Sequence, residues 1–141
     1  MAEFDESDSA SRVSEDWDVI CYAAAPLCAL WERDRNPRFG ISRAARELGM
    51  SETALREWLN RERLPPYDLL HEWYLVVRLL EDAQARSVSR CSWEQGREPA
   101  TYYRFLKRAT RKTLTALLAD GVEAARARAV EIWRTVSGRQ A

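Results

Sequence analysis

Two short stretches of this 141-residue chain concentrate side chains able to bond to a polyanion or to the edges of bases. In the first, Ser51, Glu52, Thr53, Arg56, Glu57 and Asn60 fall on one helical face. That face would offer hydroxyl, carboxylate, guanidinium and amide groups to a DNA major groove. In the second, Arg97, Arg104, Lys107, Arg108, Arg111 and Lys112 are opposed only by Glu98. Such a concentration suits phosphate contact, although a solvated helix face has the same composition. Tyr102, Tyr103 and Phe105 interleave with these cations, and they read as core and groove-edge residues rather than as a stacking platform for single strands. Catalysis is not indicated, because the chain has no glycine-rich phosphate loop, no nucleophile beside a plausible base and no Cys/His/carboxylate cluster at ligand spacing. The single histidine, His71, reads as a packing or surface residue. Cys21, Cys28 and Cys91 form an odd set with no CxxC spacing, which argues against a disulfide framework or a zinc site. No catalytic residue, metal or cofactor is therefore expected.

The first stretch belongs to ISRAARELGMSETALREWLN, Ile41 to Asn60, whose spacing predicts a helix-turn-helix. Two helices crossing at a tight turn need small residues at the crossing, which Ala44 and Ala45 supply. The turn needs a residue tolerant of positive φ, and Gly49 has no side chain to clash there. The predicted helices run from Ser42 to Leu48 and from Ser51 to Arg61, with Ser51 the better N-cap. Leu48, Met50, Leu55 and Trp58 are expected on the buried side.

The remaining pattern recurs at three and four residues throughout, so an all-α chain of about seven helices is expected. A first helix is read from Asp16 to Glu32, bent at Pro26, followed by a loop holding Asn36-Pro37 and Gly40. Pro65-Pro66 opens a long helix to Ala85 with a wide apolar face. A short helix near Val88 to Gln95, another from Pro99 to Ala109 and a last one from Thr113 to Val136 complete the reading. Pro99 sits just inside a helix start, where proline is tolerated. The expected organisation is an acidic flexible tail over 1–15, a first helix-turn-helix subdomain over 16–65, a linker helix over 66–85 and a second subdomain over 86–141.

Composition bounds the rest. A hydrophobic fraction of 46% with six tryptophans is ample for a core. The longest apolar run, Val19 to Leu30, is too short to cross a bilayer and follows no basic leader, so a cytoplasmic, nucleoid-associated location and no membrane contact are expected. The net charge of zero hides an asymmetry. Residues 1 to 18 hold seven acids against Arg12 alone, and removing them from the 22 acids and 22 bases leaves 15 and 21. The acidic start reads as a solubilising end, or more sharply as a DNA mimic lying on the basic face. In the last helix Val122, Ala125, Ala129, Ile132, Trp133 and Val136 form one stripe, expected to pack on the first helix or, alternatively, to pair two copies.

A weaker copy of the motif begins at Val88, where VSRCSWEQGREPATYYRFLK sets Gly96 as Gly49 stands in the first. Cys91 and Ser92 replace the alanines, and Tyr102, Phe105 and Leu106 replace Leu55, Trp58 and Leu59. Gln95 and Arg97 stand where apolar residues belong. Two such units joined by a long helix resemble the DNA-binding domain of the AraC/XylS family of bacterial transcription regulators. The resemblance runs from about Asp18 to Leu118, through RELGMSETALREWL, PPYDLLHEWYLVVRLLEDAQ and YYRFLKRATRKTLTALL. It implies two recognition helices in successive major-groove segments on one face of the DNA. By position, Thr53, Arg56 and Glu57 would read bases in one half and Ala100, Thr101, Tyr103 and Arg104 in the other, Arg104 matching the family's arginine best. The chain departs from the family in having Arg97 rather than phenylalanine after Gly96, and Arg111 in place of the closing glycine.

The expected function is thus sequence-specific binding of double-stranded DNA in transcription regulation, by a stand-alone domain acting as a monomer or as a weak homodimer through its terminal helices. RNA polymerase or another protein is a further candidate partner. The alternative is an interaction module or co-regulator that keeps the fold and binds a protein instead.

Overall fold

The structure is a computed structural model that describes residues 6–85 and 95–140, with side chains described over 15–85 and 95–136. All regular structure among the described residues is helical: α1 (Glu6–Ala23), α2 (Ala25–Arg33), α3 (Ile41–Glu47), α4 (Glu52–Arg61), α5 (Tyr67–Ala85), α6 (Pro99–Thr110), α7 (Leu114–Asp120) and α8 (Val122–Gln140). The expected short helix near Val88, with Cys91 and Ser92, lies outside the described residues. No described helix is long and apolar enough to cross a membrane.

Three boundaries differ from the sequence expectation, each for a local reason. α1 starts at Glu6 rather than Asp16, so most of the expected tail is helical. Trp17 anchors it by stacking on Trp133 at 5.1 Å and Tyr74 at 6.1 Å. The expected bend becomes a break between α1 and α2. Pro26 lacks the N–H that would continue α1 and is accommodated in the first turn of α2, while Ala24, fully buried, still donates to Ile20 at 2.9 Å. The single last helix is divided at Gly121, whose φ of 94° and ψ of 155° belong to a region open essentially to glycine alone.

The core is organised around α5, whose Leu70, Leu75, Val76, Val77, Leu79 and Leu80 are all buried. α1 and α5 both pack along α8, burying Val122, Ala125, Ala129 and Trp133. That stripe serves the chain's own core, so it does not offer the pairing surface considered from sequence. α1 thus has α8 as its main packing partner, with Asp16 paired to Arg134 at 2.5 Å. Polar groups fasten the other end of α5. The Tyr67 hydroxyl accepts from Trp31 Nε1 at 3.0 Å and donates to the Phe39 carbonyl at 2.7 Å, joining α2, the following loop and α5.

Candidate nucleic-acid interface

The first unit forms as its spacing predicts. Ala44 and Ala45 are buried where α4 crosses α3. Gly49 holds φ 71°, and the amides of Gly49 and Met50 donate to the carbonyls of Arg46 at 3.1 Å and Ala45 at 3.0 Å. That crossed pair of bonds satisfies the last carbonyls of α3 and turns the chain in three residues. Ser51 then caps α4, its Oγ accepting from Ala54 N–H at 3.0 Å. Leu55 and Leu59 are buried and Leu48 and Trp58 half-buried. Met50, expected inside, is 37% exposed. It sits just past the left-handed glycine, where its backbone closes the turn and its side chain is left outside, and Leu59 takes the core position.

The outward face of α4 carries Ser51, Thr53, Arg56, Glu57 and Asn60, all exposed. Two of the residues proposed as base-facing are partly committed elsewhere. The Ser51 hydroxyl is used as the cap, and Glu52 is half-buried, accepting from the Ser42 hydroxyl and pairing with Arg56 at 3.5 Å. An exposed pair at that distance is worth little, about 0.2–1 kcal/mol, so Arg56 can exchange Glu52 for another anion.

The second unit presents a stronger face. Gly96 again has positive φ, 69°, Glu98 precedes the helix, and Pro99 occupies its first turn. Tyr102, Phe105 and Leu106 point inward. Ala100, Tyr103, Arg104, Lys107 and Arg108 follow at spacings of three and four on the opposite side and are all exposed, while Thr101 is half-buried. Arg111 extends the row past the helix end, where its φ of 63° is the conformation the missing glycine would have held. Arg104, Lys107, Arg108 and Arg111 make no ion pair with a described carboxylate.

Two cations of the expected phosphate set differ. Arg97 is turned inward, 2.7 Å from Asp34 Oδ1 and only about a quarter exposed, so it belongs to the junction between the units and not to a phosphate-facing surface. Gln95 likewise accepts from the Arg35 amide at 3.1 Å. These are the two positions where the motif prefers apolar residues, and both are used in polar contacts to the loop after α2. Lys112 is exposed and paired with Asp120 at 2.8 Å, a contact a phosphate can replace.

One cation escaped the sequence reading. Arg38, exposed in the loop before α3, lines a cleft with Phe105 and Arg108 of α6 and with Asp68, His71 and Glu72 of α5. Only tertiary packing brings that loop beside α6, so no spacing signal could have found it. Burial pushes the Glu72 carboxyl above its ordinary value, with Arg108 acting in the opposite direction, so the positive field of Arg108 is partly spent inside the cleft.

A scan against models of protein families, a search of curated proteins and a search of solved structures each found no match to the chain.

Proposed function

We propose that the chain binds double-stranded DNA through α4 and α6, in the manner of the paired units of AraC/XylS-type bacterial transcription regulators, and acts in transcription regulation. The observation that carries this reading is the row Arg104, Lys107, Arg108 and Arg111, four exposed cations that form no close ion pair with a described carboxylate, on the outer face of a helix that follows a tight glycine turn. Exposed cations without a close ion pair among the described residues are available to displace the counterions of a polyanion. α4 is capped and turned in the same way, and offers Thr53, Arg56, Glu57 and Asn60 as groups able to discriminate base edges. In this arrangement α6 supplies more of the affinity and α4 more of the selectivity.

A protein-binding co-regulator is the second reading, and it rests on Val19 and Tyr22, which are 66% and 86% exposed on α1. Titration with duplex DNA at several salt concentrations separates the two. A DNA binder loses affinity with a log–log slope of about −0.9 per phosphate contacted, so four to six contacts give a slope of about −4 to −5. Absence of binding to any duplex at low salt would overturn the DNA reading.

A further inference from the structure

We propose that Asp34 is a positioning residue that sets the mutual orientation of the two recognition helices, α4 and α6, and thereby the spacing of the two DNA segments they read. This rests on the DNA-binding reading above. Asp34 ends α2 in an extended conformation, φ −139° and ψ 99°, and its carboxylate bridges two elements that are far apart in sequence. Oδ2 meets Arg43 Nη1 of α3 at 2.7 Å, and Oδ1 meets Arg97 Nη2, two residues before α6, at 2.7 Å.

Each of those arginines is close-coupled to a recognition helix. Arg43 is held against Glu47 at 3.2 Å and over the Phe39 ring at 4.1 Å, and α3 passes its orientation to α4 through the short turn at Gly49. Arg97 stands between the left-handed Gly96 and Pro99, so its position fixes the start of α6. The carboxylate itself is anchored. The next residue, Arg35, is buried and paired with Glu32 of α2 at 2.7 Å and with Asp82 of α5, while its amide donates to Gln95 in the turn before α6. Asp34 is about a quarter exposed, and although burial pushes its carboxyl up, the guanidiniums of Arg43 and Arg97 outweigh that and hold it below the usual range. The bridge acts through charge at contact distance: Oδ1 is buried and meets Arg97 without the alignment of a hydrogen bond, so the carboxylate holds the two guanidiniums together by an attraction that burial strengthens.

The consequence is a measurable coupling. A rigid link between two binding elements sets their effective concentration, and a looser link lowers it without altering either element. The test uses the full chain and a duplex recovered by selection from random DNA, together with duplexes in which either half is scrambled or two base pairs are inserted between the halves. For Asp34→Asn, affinity for the intact duplex should fall about tenfold, affinity for each half should stay within about twofold, and the penalty for the insertion should shrink. Arg97→Gln, made from the other side of the contact, should do the same, which guards against a folding defect specific to one variant. A parallel measurement needs no DNA. Spin labels at Asn60→Cys and Lys107→Cys, with Cys21, Cys28 and Cys91 replaced by alanine, should give a narrow distance distribution that broadens or shifts on Asp34→Asn. If the wild-type chain selects DNA but both substitutions weaken intact and half duplexes equally, or if the label distribution is unchanged, the positioning role is overturned. If the wild-type chain recovers no duplex while the label distribution responds, the DNA reading fails and with it the claim about spacing.

Discussion

At the scale of single residues, Arg111 sets stability against binding. Its φ of 63° is a conformation that costs a non-glycine residue about 1–2 kcal/mol, and the exposed guanidinium is what that strain retains. Arg111→Gly should therefore raise stability by about 0.5–1 kcal/mol, the relief less glycine's extra freedom in the unfolded chain. The same substitution should flatten the salt dependence of DNA binding by about one unit of slope. Thermal melting and a salt titration of the one variant check both, and a loss of stability would refute the strain argument. Arg104 and Lys107 lie one turn apart on the same face but are assigned different tasks. Arg104→Ala should cost about 1–3 kcal/mol on the selected duplex and relax preference at one base pair, whereas Lys107→Ala should weaken all duplexes alike. Competition between specific and scrambled duplexes separates a reading residue from a phosphate contact.

At the scale of elements, the caps and glycines carry the geometry. Ser51 joins the turn to α4 through the bond from the Ala54 amide, so Ser51→Ala should cost about 1 kcal/mol in urea unfolding. Its effect on DNA affinity should be small, since the hydroxyl is engaged by the helix and not free to reach a base. Gly121 divides what would otherwise be one helix into α7 and α8. A Cβ there meets no neighbour within 4 Å, so space does not limit substitution, but the φ of 94° does. Gly121→Ala should destabilise the fold by more than about 1 kcal/mol in thermal or urea unfolding; a neutral result would mean the two helices can merge without loss.

At the scale of the whole molecule, stability depends on two titratable groups, the buried His71 and the half-buried Glu32. His71 is 5% exposed among Trp31, Phe39 and Tyr67. Burial pushes its imidazole down to about 4 from an ordinary 6.5, with only partial opposition from the Asn36 carbonyl. The unfolded chain then binds a proton near pH 6.5 that the native chain refuses until about pH 4, so His71 contributes fully above 6.5 and its contribution falls as pH drops through that window. At pH 5.5 the loss is about 1 kcal/mol. Glu32 follows at lower pH. Burial raises its carboxyl, but bonds from Arg78 at 2.6 Å, Tyr74 at 2.6 Å and Arg35 at 2.7 Å outweigh it and hold it at about 2 against an ordinary 4.5. Its share is lost only as pH falls from 4.5 toward 2. Urea midpoints at pH 7.0 and 5.5 should differ for the wild type, and His71→Phe should remove most of the difference, because His71 is the only histidine.

The helix-turn-helix at Ile41 to Asn60 was legible in the sequence because its determinants are local. Small residues at a crossing, a glycine for positive φ and a serine for the first free amides each act within a few residues, and the order of later helices followed from apolar spacing in the same way. The outward row on α6 was legible for the same reason, since helical periodicity alone separates Arg104 and Lys107 from Phe105 and Leu106. What remained hidden was every decision made by contact at long range. Arg97 has the composition of a phosphate contact and becomes half of a bridge to Asp34, because the charge that claims it lies 63 residues away. Arg38 joins the basic face only when the loop before α3 settles beside α6. Helical periodicity shows which way a side chain points from its own helix, but which charge it meets there depends on how distant segments pack.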